Sequence, residues 1–246
     1  MILERIANNI LRRARARKLG ITFDRCAHFR LPSSLNIAGK EVTIYSPGSE
    51  DILFTFVEIF LDDCYQFERL SQQKIATVID IGANIGFSTL AARNYFPHAV
   101  IHAYEPNARL EEYLKLHSMV GKFDYYMEAM GLEKGFTTLE FSKKGIIHTR
   151  SRQDGVGTVP QTAFRDAVAR IGGSVDLVKS DCEGAEWLFL EDAASWRKVK
   201  NITMEYHLWS GARALKDIKH KIQTLGFRIR MLKESSSDVG LILASR

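Results

Sequence analysis

Val78-Ile79-Asp80-Ile81-Gly82-Ala83-Asn84-Ile85-Gly86 reads as a buried strand running through a tight glycine turn into a helix. Val78, Ile79 and Ile81 are β-branched and favour a strand. Gly82 and Gly86 free the backbone to take up positive φ and to approach a ligand where a Cβ would clash. In doubly wound α/β sheets such a turn lies outside the carboxyl ends of the strands, where ligands bind. The spacing is Gly-x-Asn-x-Gly, not the Gly-x-Gly-x-x-Gly of a dinucleotide site. Asp80 adds negative charge at the strand end, which repels a pyrophosphate and suits a cation.

Outward from this turn, strands and helices alternate. Strands are predicted at 76–80, 100–105, 123–129, 176–181 and 202–206, with helices at 86–95, 108–120, 162–171, from 185 onward, and at 212–225. Such alternation argues for a parallel, doubly wound sheet. The end differs in kind: strands at 227–232 and 239–244 are joined by a short turn, which cannot cross over to a parallel neighbour. They must form an antiparallel hairpin. The expected fold is α/β, a mostly parallel seven-stranded sheet with an antiparallel C-terminal strand. Residues 130–160 carry many glycines and a candidate hairpin at 136–147.

Ahead of the sheet, residues 2–19 read as an amphipathic helix with Leu3, Ala7, Ile10, Leu11 and Ala14 on one face and arginines opposite. A hairpin is predicted at 35–47 and one apolar-rich helix at 50–70. We expect residues 1–74 to form a cap or extension and residues 75–246 the cofactor-binding domain. Residues 1–20 hold six basic residues against the single acid Glu4, which accounts for the whole net charge of +5 and the pI of about 9.1. The remainder is neutral, so no nucleic-acid partner is expected. The basic helix suits packing on its own domain, self-association in an oligomer, or contact with an anionic membrane surface. Cys26, Cys64 and Cys182 are three and widely spaced, which indicates neither a zinc ribbon nor a disulfide framework. With no apolar leader, a cytoplasmic location is expected.

The cation that suits Asp80 is the amino group or sulfonium of S-adenosylmethionine. Glu105, in Tyr104-Glu105-Pro106-Asn107, ends the second strand and stands where an acid accepts the ribose hydroxyls of a bound adenosine; it also fits a helix N-terminal charge before Pro106. Glu128-Ala129-Met130 follows the third strand, where Met130 suits either packing on adenine or the core. The cofactor-contact set is then Asp80, Gly82, Ala83, Asn84, Gly86, Glu105, Pro106 and Ala129.

The catalytic candidates are His207, Asp181, Glu183 and Glu205, which parallel neighbouring strands bring to one mouth of the sheet. An alcohol is a poor nucleophile until a base takes its proton, and His207, with an ordinary pKa near 6.5, is suited to that. Glu183 or Glu205 would orient it. Glu186 reads as a carboxylate complementing a helix dipole. The same four residues are oxygen-rich enough for Mg²⁺ or Mn²⁺, a reading that is not favoured. His148, Arg150 and Arg152 are either a solvated loop or a site for an acidic substrate group.

With these residues in hand, the chain resembles the FkbM family of methyltransferases over roughly residues 42–210. The likeness rests on the 79–86 turn, on Tyr104-Glu105-Pro106-Asn107, on Asp176-Leu177-Val178-Lys179-Ser180-Asp181-Cys182-Glu183-Gly184-Ala185-Glu186, and on Glu205-Tyr206-His207. Ser180 and Cys182 depart from the more apolar residues expected there, and residues 130–160 match poorly. The resemblance implies a class I methyltransferase fold and methyl transfer from S-adenosylmethionine to hydroxyls of sugars, glycans or natural products. By position, Asp80, Gly82, Asn84 and Gly86 would hold the methionine part, Glu105 the ribose, and Asp181 would stand beside the transferring methyl. Two rivals are a nucleotide-dependent oxidoreductase and a non-catalytic binding protein on the same fold.

Overall fold

The computed structural model describes residues 2–21, 30–141, 149–152, 157–209 and 213–246, with backbone alone at 2–7, 151 and 152. In chain order the front section holds α1 (Ile2–Lys18), the hairpin β1 (Ser34–Ile37) and β2 (Lys40–Thr43), α2 (Glu50–Phe56), a π turn (Val57–Leu61) and α3 (Phe67–Leu70). Then come β3 (Thr77–Ile81), α4 (Phe87–Tyr95), β4 (Val100–Tyr104), α5 (Glu111–Gly121), β5 (Asp124–Tyr126), β6 (Ala129–Gly131), β7 (Gly135–Phe141), β8 (Thr149–Arg152) and β9 (Val159–Ala163). The chain closes with α6 (Phe164–Arg170), β10 (Val175–Ser180), the short α7 (Glu186–Phe189) and α8 (Ala193–Trp196), β11 (Val199–His207), α9 (Leu215–Thr224), β12 (Arg228–Glu234) and β13 (Val239–Ser245).

The main sheet has seven strands in the order β12-β13-β11-β10-β3-β4-β5. Neighbours from β5 to β11 run parallel, and β13 lies antiparallel to both β11 and β12. This is the mostly parallel sheet with an antiparallel closing strand that the short 235–238 connection demands. The chain leaves β3 toward β5 on one side and returns through β10 on the other. The carboxyl ends of β3 and β10 therefore flank the switch point, where open α/β sheets bind ligands.

Successive side chains of each strand enter opposite layers. Val78 and Leu177 join one core with Leu90, Ile101, Phe56 and Phe67; Ile79 and Val178 join the other with Trp196, Ile202 and Ile242. The front section has its apolar residues in the first of these cores, on the face that carries α4 and α5. Among the described residues no helix is long and apolar enough to cross a membrane.

Four local expectations are corrected. The helix at 50–70 is broken at residues 62–66, where Asp63 (φ 52°) and Gln66 (φ 59°) are left-handed. The Asp63 carboxylate accepts the N–H groups of Phe67 (2.8 Å) and Glu68 (3.1 Å) and restarts the helix there. The stretch 123–129 is two strands in two sheets: β5 edges the main sheet, and β6 starts a second one, ordered β6-β9-β7-β8. The hairpin at 136–147 is the antiparallel pair β7 and β8, whose connection lies outside the described residues. Residues 159–163 form β9, so the helix expected at 162–171 starts only at Phe164.

The described part of the amphipathic helix is rotated away from the expected face. Ile10 and Leu11 face solvent at 62% and 48% exposure, while Ala16 and Leu19 are buried. Arg12 pairs with Asp62, and Arg15 donates to Glu68 (2.9 Å) and to the Leu61 carbonyl (2.9 Å). The carboxylates and free carbonyl at the end of the π turn attract the arginine side of the helix, and this outweighs exposing two aliphatic side chains.

Candidate active site

A cavity of about 480 Å³ opens over the carboxyl ends of β3, β4 and β10, a size suited to a small-molecule ligand. The glycine turn, Glu105 and Pro106, Glu128 to Met130, and Asp181 to Glu183 line it, and Glu205 closes it from β11. The front section supplies the remaining side, with Asp51, Glu58, Cys64 and Tyr65.

The glycine turn works differently from its sequence reading. Gly82 has φ 74°, and a Cβ there would stand 1.8 Å from the Asp181 carbonyl oxygen. The close approach that requires glycine is to the neighbouring strand end, and only the peptide surface faces the cavity. Gly86 (φ 95°) begins α4 against Leu114 and His117, off the cavity wall. Asn84, also left-handed, bonds its own chain by accepting the Ile85 N–H at 2.8 Å.

Asp80 is also off the wall. It is 1% exposed, accepts the hydroxyls of Ser88 (2.7 Å) and Thr89 (2.6 Å), and stands 3.0 Å from the Lys179 ammonium. Lys179, 1% exposed, donates in turn to the Gly82 carbonyl at 2.7 Å. Burial alone would lower the lysine pKa, but Asp80 and Asp181 more than reverse it, so the ammonium persists. Asp80 thus fixes the turn from behind and holds no charge free for a ligand.

Glu105 is 6% exposed and accepts the N–H groups of Asn84 (2.8 Å) and Asn107 (2.9 Å). Burial raises its pKa to about 7 against these bonds. Each oxygen spends one lone pair on backbone, and the residue still lines the cavity, so it serves both as a turn anchor and as an acceptor for ligand hydroxyls. Pro106, Ala129 and Met130 complete that end of the wall.

At the other end four acids meet. Asp181, Glu183, Glu205 and Glu58 all line the cavity. Glu205 has its pKa raised by burial and by the facing Asp181, Glu183 and Glu58, with His207 opposing. His207 itself is 3% exposed and is not part of the wall. Its Nδ1 is 3.3 Å from Glu186, its Nε2 is 3.9 Å from both Glu183 and Glu205, and its ring packs on Trp209. Burial disfavours the imidazolium, but the Glu186 bond and the charges of Glu186, Asp181 and Glu183 raise the pKa to about 9. At neutral pH it already carries the proton a base must accept. Glu186 is no surface dipole partner either: fully buried, it accepts the N–H of His207 (2.8 Å) and of Gly184 (2.9 Å).

Asp181, Glu183 and Glu205 thus come together at one mouth of the sheet, whereas Asp80, Gly86 and His207 stand behind the cavity wall. Lys179, a charge directly after Leu177 and Val178 in a buried strand, is a sequence signal of a buried partner. Nothing local marks Tyr65. Arg150 stacks on Trp209, 3.3 Å from the ring centroid, away from the cavity; His148 and the Arg152 side chain lie outside the described residues. Among the described residues no group of three or more His, Cys, Asp or Glu is placed to hold a metal ion.

The donor set fits S-adenosylmethionine. Among the described lining residues there is no arginine, and the one lysine is engaged by Asp80 and Gly82, so nothing there complements a pyrophosphate. A carboxylate stands ready for hydroxyls at one end and several for a cation at the other. The family described as Methyltransferase FkbM domain matches residues 80–229. The 31-O-demethyl-FK506 methyltransferase FkbM of Streptomyces tacrolimicus is 25% identical over 69% of this chain and 80% of that protein. The methyltransferase sdnD of Sordaria araneosa is 26% identical over 78% and 88%. A solved precorrin-6y C5,15-methyltransferase from Geobacter metallireducens GS-15 has a TM-score of 0.47 at 14% identity, covering 76% of this chain and 88% of that one, and adds nothing to the strand order. With more than half its length matched, the chain belongs to the FkbM family of S-adenosylmethionine-dependent methyltransferases.

Proposed function

We propose that this chain methylates a hydroxyl oxygen of a sugar, glycan or natural-product acceptor, with Glu205 as the general base. The name of the Streptomyces relative places that enzyme's methyl on an oxygen, which supports the reading by analogy. The observation that carries it is the setting of Glu205. It is on the cavity wall, and its pKa is raised by burial and by three facing carboxylates. A carboxylate that holds a proton more avidly than usual is a stronger base for an alcohol. His207 lies two residues on, on the same face of β11, with its Nε2 3.9 Å away. As an imidazolium it tempers the repulsion that raises the Glu205 pKa to about 8, so a minor fraction of Glu205 is ionised at neutral pH and the proposed base gains strength as pH rises toward 8.

Bound S-adenosylmethionine supplies an electrophilic methyl on a sulfonium. Glu105 and Met130 would hold the adenosine end, and Asp181 would face the charged end. Glu205 would take the hydroxyl proton as oxygen attacks. Front-section residues beside it, such as Phe54 and Glu58, border the space left for the acceptor.

Calorimetry with S-adenosylhomocysteine and with NAD tests the cofactor: the first is expected to bind, and binding of NAD alone would reverse the reading. Glu105→Ala is expected to weaken binding about tenfold, the loss of hydrogen bonds to a charged group. Turnover, followed as S-adenosylhomocysteine release over a panel of hydroxylated acceptors, should fall about 10²-fold or more in Glu205→Gln, with cofactor affinity kept. Wild-type turnover in that variant would remove Glu205 as the base.

A further inference from the structure

Among the described residues of the front section, Tyr65 alone bonds the end of the fourth parallel strand, and no motif marks it. It sits in the break between the π turn and α3, 5% exposed, and lines the cavity. Its hydroxyl donates to Asp181 Oδ2 at 2.7 Å. Its ring lies 4.9 Å from the Lys179 ammonium, the group that holds the Gly82 carbonyl. The break is itself fixed: Asp63 caps the turn after it, and Arg15 of α1 approaches Asp63 at 3.8 Å. Burial and the neighbouring Asp181 charge raise the Tyr65 pKa, so the phenol stays a donor.

Tyr65 engages one oxygen of Asp181, and among the described residues nothing bonds the other. A carboxylate held this way presents a fixed negative charge, with no reorganisation needed when a cation arrives. We propose that Tyr65 is a positioning residue for the cofactor's charge: by holding Asp181 it makes the site prefer the sulfonium of S-adenosylmethionine over the neutral thioether of S-adenosylhomocysteine. The front section is then part of the cofactor site, and the product, having lost the positive charge, is held less tightly than the substrate that formed it. This rests on the cofactor reading above.

The test is calorimetric. Kd for S-adenosylmethionine and for S-adenosylhomocysteine is measured in the wild type, Tyr65→Phe, Asp181→Asn and the double variant. Tyr65→Phe keeps the ring packing and removes only the donor. Its S-adenosylmethionine Kd is expected to rise about tenfold while the S-adenosylhomocysteine Kd moves less than twofold, and Tm falls by several degrees for the hydrogen bond lost from the folded state. In the Asp181→Asn background, removing the hydroxyl should change the ratio no further. Equal weakening of both ligands, or no change in either, overturns the proposal and leaves Tyr65 a packing residue. Should Tyr65→Phe fail to fold, Asp181→Asn alone must lower the same ratio. If the wild type binds neither ligand, the cofactor reading itself fails.

Discussion

A Gly82→Ala variant is expected to lose measurable S-adenosylhomocysteine binding and to unfold about ten degrees below the wild type. Two independent costs add at this position. The backbone is left-handed at φ 74°, which costs an L-residue roughly 1–2 kcal/mol. The new Cβ would also stand 1.8 Å from the Asp181 carbonyl oxygen and 2.7 Å from its carbon. Both are backbone atoms, pinned by the Asp181 N–H bond to Ile81 at 3.0 Å, and neither can swing aside as a side-chain tip would. Relief requires β3 and β10 to part at their carboxyl ends. That movement breaks the Lys179 contact to Gly82 and shifts Asp181, so the ligand site is lost along with stability. At about 2–4 °C per kcal/mol for a chain of this size, several kcal/mol give the stated drop. Gly135→Ala is the control: its φ is not positive and its Cβ would meet nothing within 4 Å, so Tm should hold within about a degree. A Gly82→Ala protein that binds the ligand normally would mean that the two strand ends are not in rigid contact.

The contrast between those glycines shows how the sequence could be read. The existence of the central parallel strands was legible because they are largely apolar on both faces. Val78, Ile79 and Ile81, or Leu177 and Val178, declare themselves whatever surrounds them. The antiparallel ending was legible for a different reason, since so short a connection has only one geometric solution. Partnership was not legible. The positive φ of Gly82 is a local property, but its close neighbour lies about a hundred residues on, and the turn looks the same in sequence whether a ligand or Asp181 is pressed against it. The same holds for Asp80, whose charge is cancelled by Lys179, and for Tyr65, which reaches Asp181 across 116 residues. In α1 the pattern itself misled. Ile10 and Leu11 face outward because Asp62, Glu68 and the Leu61 carbonyl hold Arg12 and Arg15, and a hydrophobic pattern carries no information about what the facing surface offers.

The second large effect is expected at Glu186, a residue with no contact to the cavity. Fully buried, it accepts two backbone N–H groups and sits 3.3 Å from His207 Nδ1. Glu186→Gln keeps the shape, turns one acceptor into a donor facing a backbone N–H, and leaves the His207 imidazolium without its main counter-charge. Breaking a buried pair from one side costs about 3–5 kcal/mol, so unfolding in urea at pH 6.5 should show a loss of that order. The pH dependence separates this from simple misfit. The folded pKa of His207 is about 9 against an ordinary 6.5, so the protonated ring favours the folded state. That contribution is fully present below pH 6.5, declines above it, and is gone once pH has risen through 9. At about 1.4 kcal/mol per unit of difference it amounts to roughly 3 kcal/mol. Wild-type stability should therefore fall between pH 6.5 and 9.5, and the fall should be much shallower in Glu186→Gln, whose His207 returns toward neutrality. The two curves should approach each other at alkaline pH, separated there only by the pH-independent cost of the mismatched amide. Glu205 titrates in the same range and is coupled to His207, so the comparison is made in a Glu205→Gln background, where its contribution is absent from both curves. Parallel curves across this range would show that Glu186 does not hold His207 in its charged form, and would return His207 to contention as the base.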